Sequence, residues 1–275
     1  YQNKNEKLMT TEVAYMIIEK IDRILNDNIF EGINIHYFGG EPLLNIPVLI
    51  YLDENIKKIT DKIGIVYKAF LTTNGSMLSK ELLQKVKFSS IQLTFDGLEK
   101  THDRLRVSDH FHFKEEIELI ENIMNFSQAK VLLRTNICKE NKDEIIALHK
   151  YIFEKFGNER IEINPNRTIK YHQDDSFEML SVQEYAEVAY QIKLLWSEQK
   201  GKFELPVPRS TPCKFPYGNA YAISPEGYCT FCSGSMDQEK KYFFDVDIEN
   251  KKMFSVRKEC KKCNILPLCL GGCII

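Results

Sequence analysis

The sequence predicts an α/β fold of repeated parallel strand–helix units, followed by a small cysteine-rich segment that holds a metal or cofactor. Three observations carry this expectation. Apolar periodicity alternates between two and 3.6 along about the first 200 residues. Polar turns containing glycine follow three successive strands. Seven of the eight cysteines (Cys213, Cys229, Cys232, Cys260, Cys263, Cys269 and Cys273) fall in the last 63 residues.

The elements follow in order. Thr10 and Thr11 can cap a helix with apolar positions at Val13, Ile17, Ile21 and Ile24, and Glu12 is well placed in its first turn. The run Ile33 to Tyr37 alternates as a strand that Gly39 and Gly40 end, and a helix from about Val48 to Asp61 follows. Ile65 to Leu71 is the next strand, Ser79 caps a short helix, and Ile91 to Thr94 is the third strand. Ile117, Ile120 and Met124 mark a helix before a fourth strand, Val131 to Thr135. Asn141 with Glu144 forms a capping pattern for a helix that Gly157 stops. Ile161 to Ile163 is a fifth strand, and Ser181 with Glu184 makes a capping box for a last helix ending near Trp196. Units of roughly 30 to 40 residues are those of βαβ crossovers, which build either an open doubly wound sheet or a barrel.

Both architectures place ligands at the carboxyl ends of the strands. Three polar turns lie at such ends: Gly39-Gly40-Glu41-Pro42, Thr72-Thr73-Asn74-Gly75 and Thr94-Phe95-Asp96-Gly97. Glycine, asparagine and aspartate are also ordinary turn formers. Three such turns on one rim, one of them delivering the Glu41 carboxylate, point beyond turn formation to a ligand.

Composition narrows the class of protein. The hydrophobic share of 43% and charged share of 28% are those of a globular domain. The net charge of −2 gives no basic field for a nucleic acid or an anionic membrane. No apolar run is long enough to span a bilayer, and residues 1–7 hold no signal-peptide core. A cytoplasmic protein is expected, so the cysteines read as ligands rather than disulfides. Both ends, Tyr1 and Ile275, look like cuts through something longer.

The cysteines are spaced C-x13-G-x4-C from Cys213 through Gly227 to Cys232, then C-x2-C-x5-C-x3-C from Cys260 through Cys263 and Cys269 to Cys273. The segment Tyr221 to Phe231, centred on Pro225-Glu226-Gly227, reads as a β-hairpin that carries Cys232 back towards Cys213. A zinc site would need only four thiolates. Four cysteines within 14 residues and no histidine among them favour iron–sulfur ligation over zinc. Cys138 has no cysteine neighbour and is expected to be structural. His36, alternating into a strand face, is expected to be a packed core histidine. His110, His112, His149 and His172 show no ligand spacing.

Together the halves resemble radical SAM enzymes that carry a SPASM domain. The cysteine spacing is that of the domain's signature, with six of seven cysteines present. Gly39-Gly40-Glu41-Pro42 resembles the family's GGEP motif, Thr73-Asn74-Gly75 its turn after the third strand, and Gln92 to Gly97 with His102 to Arg106 its fourth-strand segment. The resemblance implies a partial (β/α)6 TIM-like barrel over residues 1–205 and a SPASM domain with a β-hairpin over residues 206–275. The first strand and the C-x3-C-x2-C cluster loop are then expected before Tyr1 and the last signature cysteine after Ile275, so that the chain as given is an inactive fragment.

By the same resemblance the cofactors are S-adenosyl-L-methionine and [4Fe–4S] clusters. Glu41 would bind the methionyl ammonium, and Thr94 and Arg106 would contact the rest. Gly39, Gly40, Thr73, Asn74 and Asp96 belong to the same site. Cys213, Cys232 and Cys273 would ligate one auxiliary cluster, and Cys260, Cys263 and Cys269 a second. The first is short of one ligand, which Cys229 could supply; otherwise Cys229 is a packed bystander and a substrate thiolate fills the open iron. The implied activity is reductive cleavage of S-adenosylmethionine and hydrogen abstraction from a peptide or protein, with flavodoxin or ferredoxin as electron donor. Ser233 stands where sulfatase-maturing relatives carry an aspartate, which favours a ribosomal peptide maturase over a sulfatase maturase. A metal-stabilised binding module without catalysis is the reading from another class.

Overall fold

A computed structural model describes residues 7–27, 29–157, 159–169, 177–201, 220–230, 241–246, 256, 258–264 and 266. The chain divides into two compact units, one of Phe30–Asp53 and Thr60–Phe203, the other of Tyr1–Ile29, Glu54–Ile59 and Glu204–Ile275.

The larger unit contains strands β1 (Gly32–Tyr37), β2 (Val66–Thr72), β3 (Phe88–Thr94), β4 (Lys130–Ile137) and β5 (Ile161–Arg167) in one parallel sheet. Among the described residues each strand pairs only with its neighbours in sequence, so the order runs β1-β2-β3-β4-β5 without reversal. A doubly wound sheet reverses its order at a switch point. Right-handed crossovers that always step the same way instead put every helix on one face, as in a barrel. Of the two architectures open to the sequence, the structure is the partial TIM-like barrel.

The helices are α2 (Ile46–Ile63), α3 (Lys80–Lys85), α4 (Glu99–Leu105), α5 (Phe113–Phe126), α6 (Ile145–Phe156) and α7 (Val182–Lys200), after an N-terminal α1 (Thr11–Asp27). Ile91, Leu93, Val131 and Leu133 of the sheet share one apolar core with Leu83, Ile120, Leu148 and Trp196 of the helices. Expected caps form: the Ser79 side chain accepts from Leu82 N, and Ser181 and Glu184 make a reciprocal capping box. Gly157 ends α6 with φ of 70°, a conformation that disfavours other residues. Behind the sheet, the Tyr67 hydroxyl donates to buried Asp53 at 2.6 Å. Two elements differ from the sequence reading. Helix α4 has no apolar periodicity long enough to announce it. Asn141 does not cap α6, whose N-cap is Glu144, and its side chain is used elsewhere.

The sheet's other face is polar. Thr72, Gln92, Thr94, Arg134, Asn136 and Asn164 alternate with the core residues, and Asn164 Nδ2 reaches Gln92 Oε1 at 3.4 Å across the strands. Parallel sheets covered on both faces have near-continuous apolar strands. His36 lies on the polar face, exposed rather than packed in the core, with Nε2 2.8 Å from Thr72 Oγ1.

The smaller unit contains α1 and an antiparallel sheet of β6 (Ala222–Ile223), β7 (Tyr228–Thr230) and β8 (Lys241–Tyr242), in that order. The hairpin between β6 and β7 turns at Gly227 with φ of 86°, as the Pro225-Glu226-Gly227 sequence predicts. Lys20 of α1 donates to the Phe244 carbonyl at 3.1 Å, and Lys7 pairs with Glu226 at 3.3 Å. No helix among the described residues is long and apolar enough to cross a membrane.

His149 makes stability depend on pH. Trp196 Nε1–H donates to its Nδ1 at 3.0 Å, so the ring's proton sits on Nε2, 3.3 Å from Thr135 Oγ1. Burial lowers its pKa from 6.5 to about 3. Below pH 6.5 the unfolded chain therefore takes up a proton that the folded chain refuses, and stability falls as pH drops towards 3. The unfolding free energy from urea titrations should decline over this range with a slope of up to about 1.4 kcal/mol per pH unit. His149→Phe should flatten the slope.

Candidate functional site at the carboxyl ends of the strands

The predicted rim residues stand where the parallel order puts them. Gly39 and Gly40 bend the chain after β1, Thr73 and Asn74 follow β2, and Thr94 ends β3 with Asp96 two residues beyond. Arg106 caps the C-terminus of α4. Two carboxylates organise the rim.

Glu41 joins the first two turns. It is the N-cap of a 3-10 turn over Pro42–Asn45, where its Oε1 accepts from Leu43 N at 3.1 Å. The same oxygen accepts from Thr73 Oγ1 at 2.7 Å, while Oε2 accepts from Asn74 N at 2.7 Å. Thr73 Oγ1 in turn accepts from Gly75 N at 3.0 Å. A carboxylate has about four acceptor positions. Three are filled, which fixes the group and leaves one on Oε2 for an outside donor. An ammonium fits that position in charge and hydrogen-bonding sense. Two residues earlier Gly39 has φ of 146°, and a Cβ built there would meet nothing within 4 Å.

Asp96 joins the third turn to the fourth. Its Oδ1 accepts from Asn136 N at 2.9 Å and its Oδ2 pairs with Arg106 at 3.2 Å. Its carbonyl accepts from Asn141 Nδ2 at 2.8 Å. Asn141 also donates to the Asn136 carbonyl at 2.9 Å and accepts from Cys138 N at 2.9 Å. Gly97 is obligatory here: φ is 154°, and a Cβ would lie 2.7 Å from Glu144 Oε1. Asn141 and Asn136 were not expected in the site. The Asn141–Glu144 spacing mimics a helix cap, and no local pattern reveals a side chain that bridges two loops. Beside Thr94 in the register lies Arg134, whose Nε donates to Asn136 Oδ1 at 2.9 Å.

In the smaller unit, Cys260 and Cys263 share a tight turn, with Cys263 N donating to the Cys260 carbonyl at 3.0 Å. Both are free thiols, Cys263 exposed and Cys260 partly so, a soft donor pair that fits iron or zinc. Cys229 is buried in β7 between Ile223 and Lys241 in the register, and burial pushes its thiol up. Cys213, Cys232, Cys269 and Cys273 lie outside the described residues, as does Ser233. Among the described residues no group of three or more His, Cys, Asp or Glu side chains is arranged for a metal. Cys138 is buried behind β4, its thiol likewise raised by burial.

No family model matches the chain, and no curated protein matches it. Solved structures do. The fold is shared with solved structures that bind S-adenosylmethionine. "Native anSMEcpe with bound AdoMet and Cp18Cys peptide" superposes with a TM-score of 0.76 at 19% identity, covering 96% of this chain and 81% of that one. "Native anSMEcpe with bound AdoMet" gives 0.72 at 18% identity, covering 98% and 82%. SuiB of Streptococcus suis, bound to S-adenosylmethionine, gives 0.59 at 18% identity, covering 93% and 65%. At these identities the likeness establishes the fold.

Asn141→Ala should lower stability by at least about 2 kcal/mol, because it strands two carbonyls and an amide in a buried junction. Urea denaturation with an unchanged slope would show that the loss lies in the folded state.

Proposed function

We propose that this chain is the core of a radical SAM/SPASM enzyme that acts on a peptide or protein. The observation that carries the reading is Glu41: a carboxylate fixed by three hydrogen bonds from two rim turns, with one acceptor position left. Glu41 would hold the ammonium of S-adenosylmethionine by a charge-assisted hydrogen bond. Thr73 and Asn74, which bond Glu41, would hold the carboxylate in place. Thr94 and the Asp96–Arg106 pair would orient the remainder of the molecule, and the polar sheet face would receive the substrate.

When bound, the cofactors supply one-electron reductive cleavage of S-adenosylmethionine, giving a 5′-deoxyadenosyl radical that abstracts substrate hydrogen. The barrel's part is to bind, orient and exclude water. Cys260, Cys263 and Cys269 are assigned to one auxiliary [4Fe–4S] cluster, and Cys213, Cys232 and Cys273 to the other. Cys229 is buried in β7, as a packed thiol or a fourth ligand to the latter cluster would be. Flavodoxin or ferredoxin would supply the electron.

A peptide substrate is supported by the anSMEcpe structures that hold the Kp18Cys and Cp18Cys peptides. The fold likeness to anSMEcpe keeps sulfatase maturation as the second reading. Ser233, in place of that group's aspartate, favours modification of a ribosomal peptide.

Binding of S-adenosylmethionine tests the assignment. Glu41→Gln, which places an amide among three donors, should weaken affinity at least about tenfold. Unchanged affinity would remove Glu41 from the site. Anaerobic reconstitution of the full-length protein should load iron and sulfide with broad visible absorbance. Stoichiometric zinc without iron would overturn the cluster assignment and favour the binding module.

A further inference from the structure

The short helix α4 brings two side chains to one residue. His102 and Arg106 lie one turn apart, with Arg106 N donating to the His102 carbonyl at 2.8 Å. Arg106 pairs with the Asp96 carboxylate, while the Asp96 main-chain N–H donates to His102 Nδ1 at 3.4 Å. Asp96 is thus gripped through both its side chain and its backbone. A helix of seven residues does not hold itself in water, so its position depends on what anchors it.

One buried anchor is Glu116 of α5; beside it the Asp103 carboxylate of α4 accepts from Phe113 N at 2.8 Å. Glu116 Oε2 lies 3.2 Å from His102 Nε2, with both side chains almost wholly buried. The ring sits between Phe95 and Phe113, at centroid distances of 5.4 and 5.7 Å. Because Nδ1 accepts from an amide, the proton of the neutral ring must be on Nε2, which therefore donates to Glu116. Burial raises the Glu116 pKa, and the hydrogen bond from His102 opposes the rise. A carboxylate is costly to bury unless paired, and removing its partner is costlier still. The pair thus locks the tautomer of His102 and is one of the contacts that place α4.

We infer that Glu116 is a positioning residue for the cofactor site: it fixes the Nε2–H form of His102, which holds the Asp96 amide and, with it, the Arg106 guanidinium. The inference rests on the proposal that Arg106 and Asp96 face S-adenosylmethionine. Glu116 itself stands behind the site and touches no ligand in this scheme.

Two pairs of variants in the full-length protein test it. Glu116→Gln keeps an acceptor for Nε2–H and should hold S-adenosylmethionine affinity within about threefold, whereas Glu116→Leu should weaken it about tenfold. His102→Asn can still accept from the Asp96 amide, while His102→Gln keeps a donor for Glu116 and loses that acceptor. His102→Asn should therefore bind S-adenosylmethionine more tightly than His102→Gln, even if both melt at the same temperature. Nitrogen-15 NMR of the histidines should show His102 as the Nε2–H tautomer in the wild type and in Glu116→Gln, and mixed forms in Glu116→Leu. Should Glu116→Leu fail to fold, Glu116→Met, closer in shape to glutamate, decides; wild-type affinity with an unchanged His102 tautomer there overturns the inference. Wild type that binds no S-adenosylmethionine overturns the cofactor reading and this inference with it. Wild type that binds, weakened by Glu41→Gln yet unaffected by a folded Glu116→Leu, overturns this inference alone.

Discussion

The site depends on a constraint of connectivity: five parallel strands laid down in chain order, each crossover stepping the same way. This order confines the helices to one face and relieves the other of packing duty. Leu93 and Leu133 meet helices, whereas Gln92 and Arg134, one residue away on the same strands, belong to the polar face. The same order brings the carboxyl ends of all five strands to one rim. Glycine and carboxylate turns scattered over about sixty residues of sequence thereby become neighbours.

At the rim, rigidity comes from carboxylates that bridge turns. Glu41 and Asp96 each tie one strand's turn to the next. Glu41 accepts three hydrogen bonds from main-chain and hydroxyl donors, whereas Asp96 accepts from one amide and pairs with a guanidinium. From Asp96 the bracing extends outward through Asn141 on one side and His102–Glu116 on the other, both buried. Stability in this region therefore depends on polar groups whose pairing must be complete, since a buried group left alone costs more than its bond contributes.

Much of the barrel was legible in the sequence because its signals are local. Strands announced themselves by alternation, helices by caps such as Ser79 and Ser181, and stops by Gly157. The strand ends differ by a few residues: β3 begins at Phe88 and β4 runs on to Ile137. Helix α4 was missed because seven residues with one buried position, His102, leave no periodic trace. Asn141 was misread because an asparagine three residues before a glutamate has the same spacing whether it caps a helix or bridges loops. His36 was expected in the core because alternation gives two faces and does not say which one is wet.

By itself the sequence determined the inventory: which turns carry glycine and carboxylate, which segments are strand or helix, and how the cysteines are spaced. These follow from short-range rules, since propensity, capping and turn chemistry act within a few residues. Periodicity alone left sheet and barrel open, since the two share every local unit and differ only in strand order; the resemblance pointed to the barrel, and the strand order bears it out. The tertiary structure alone decided that Glu41 would meet Thr73 and Asn74, and that Glu116 would reach across from another helix to His102. Such contacts are set by the register of strands and the packing of helices, and no window of sequence contains both partners.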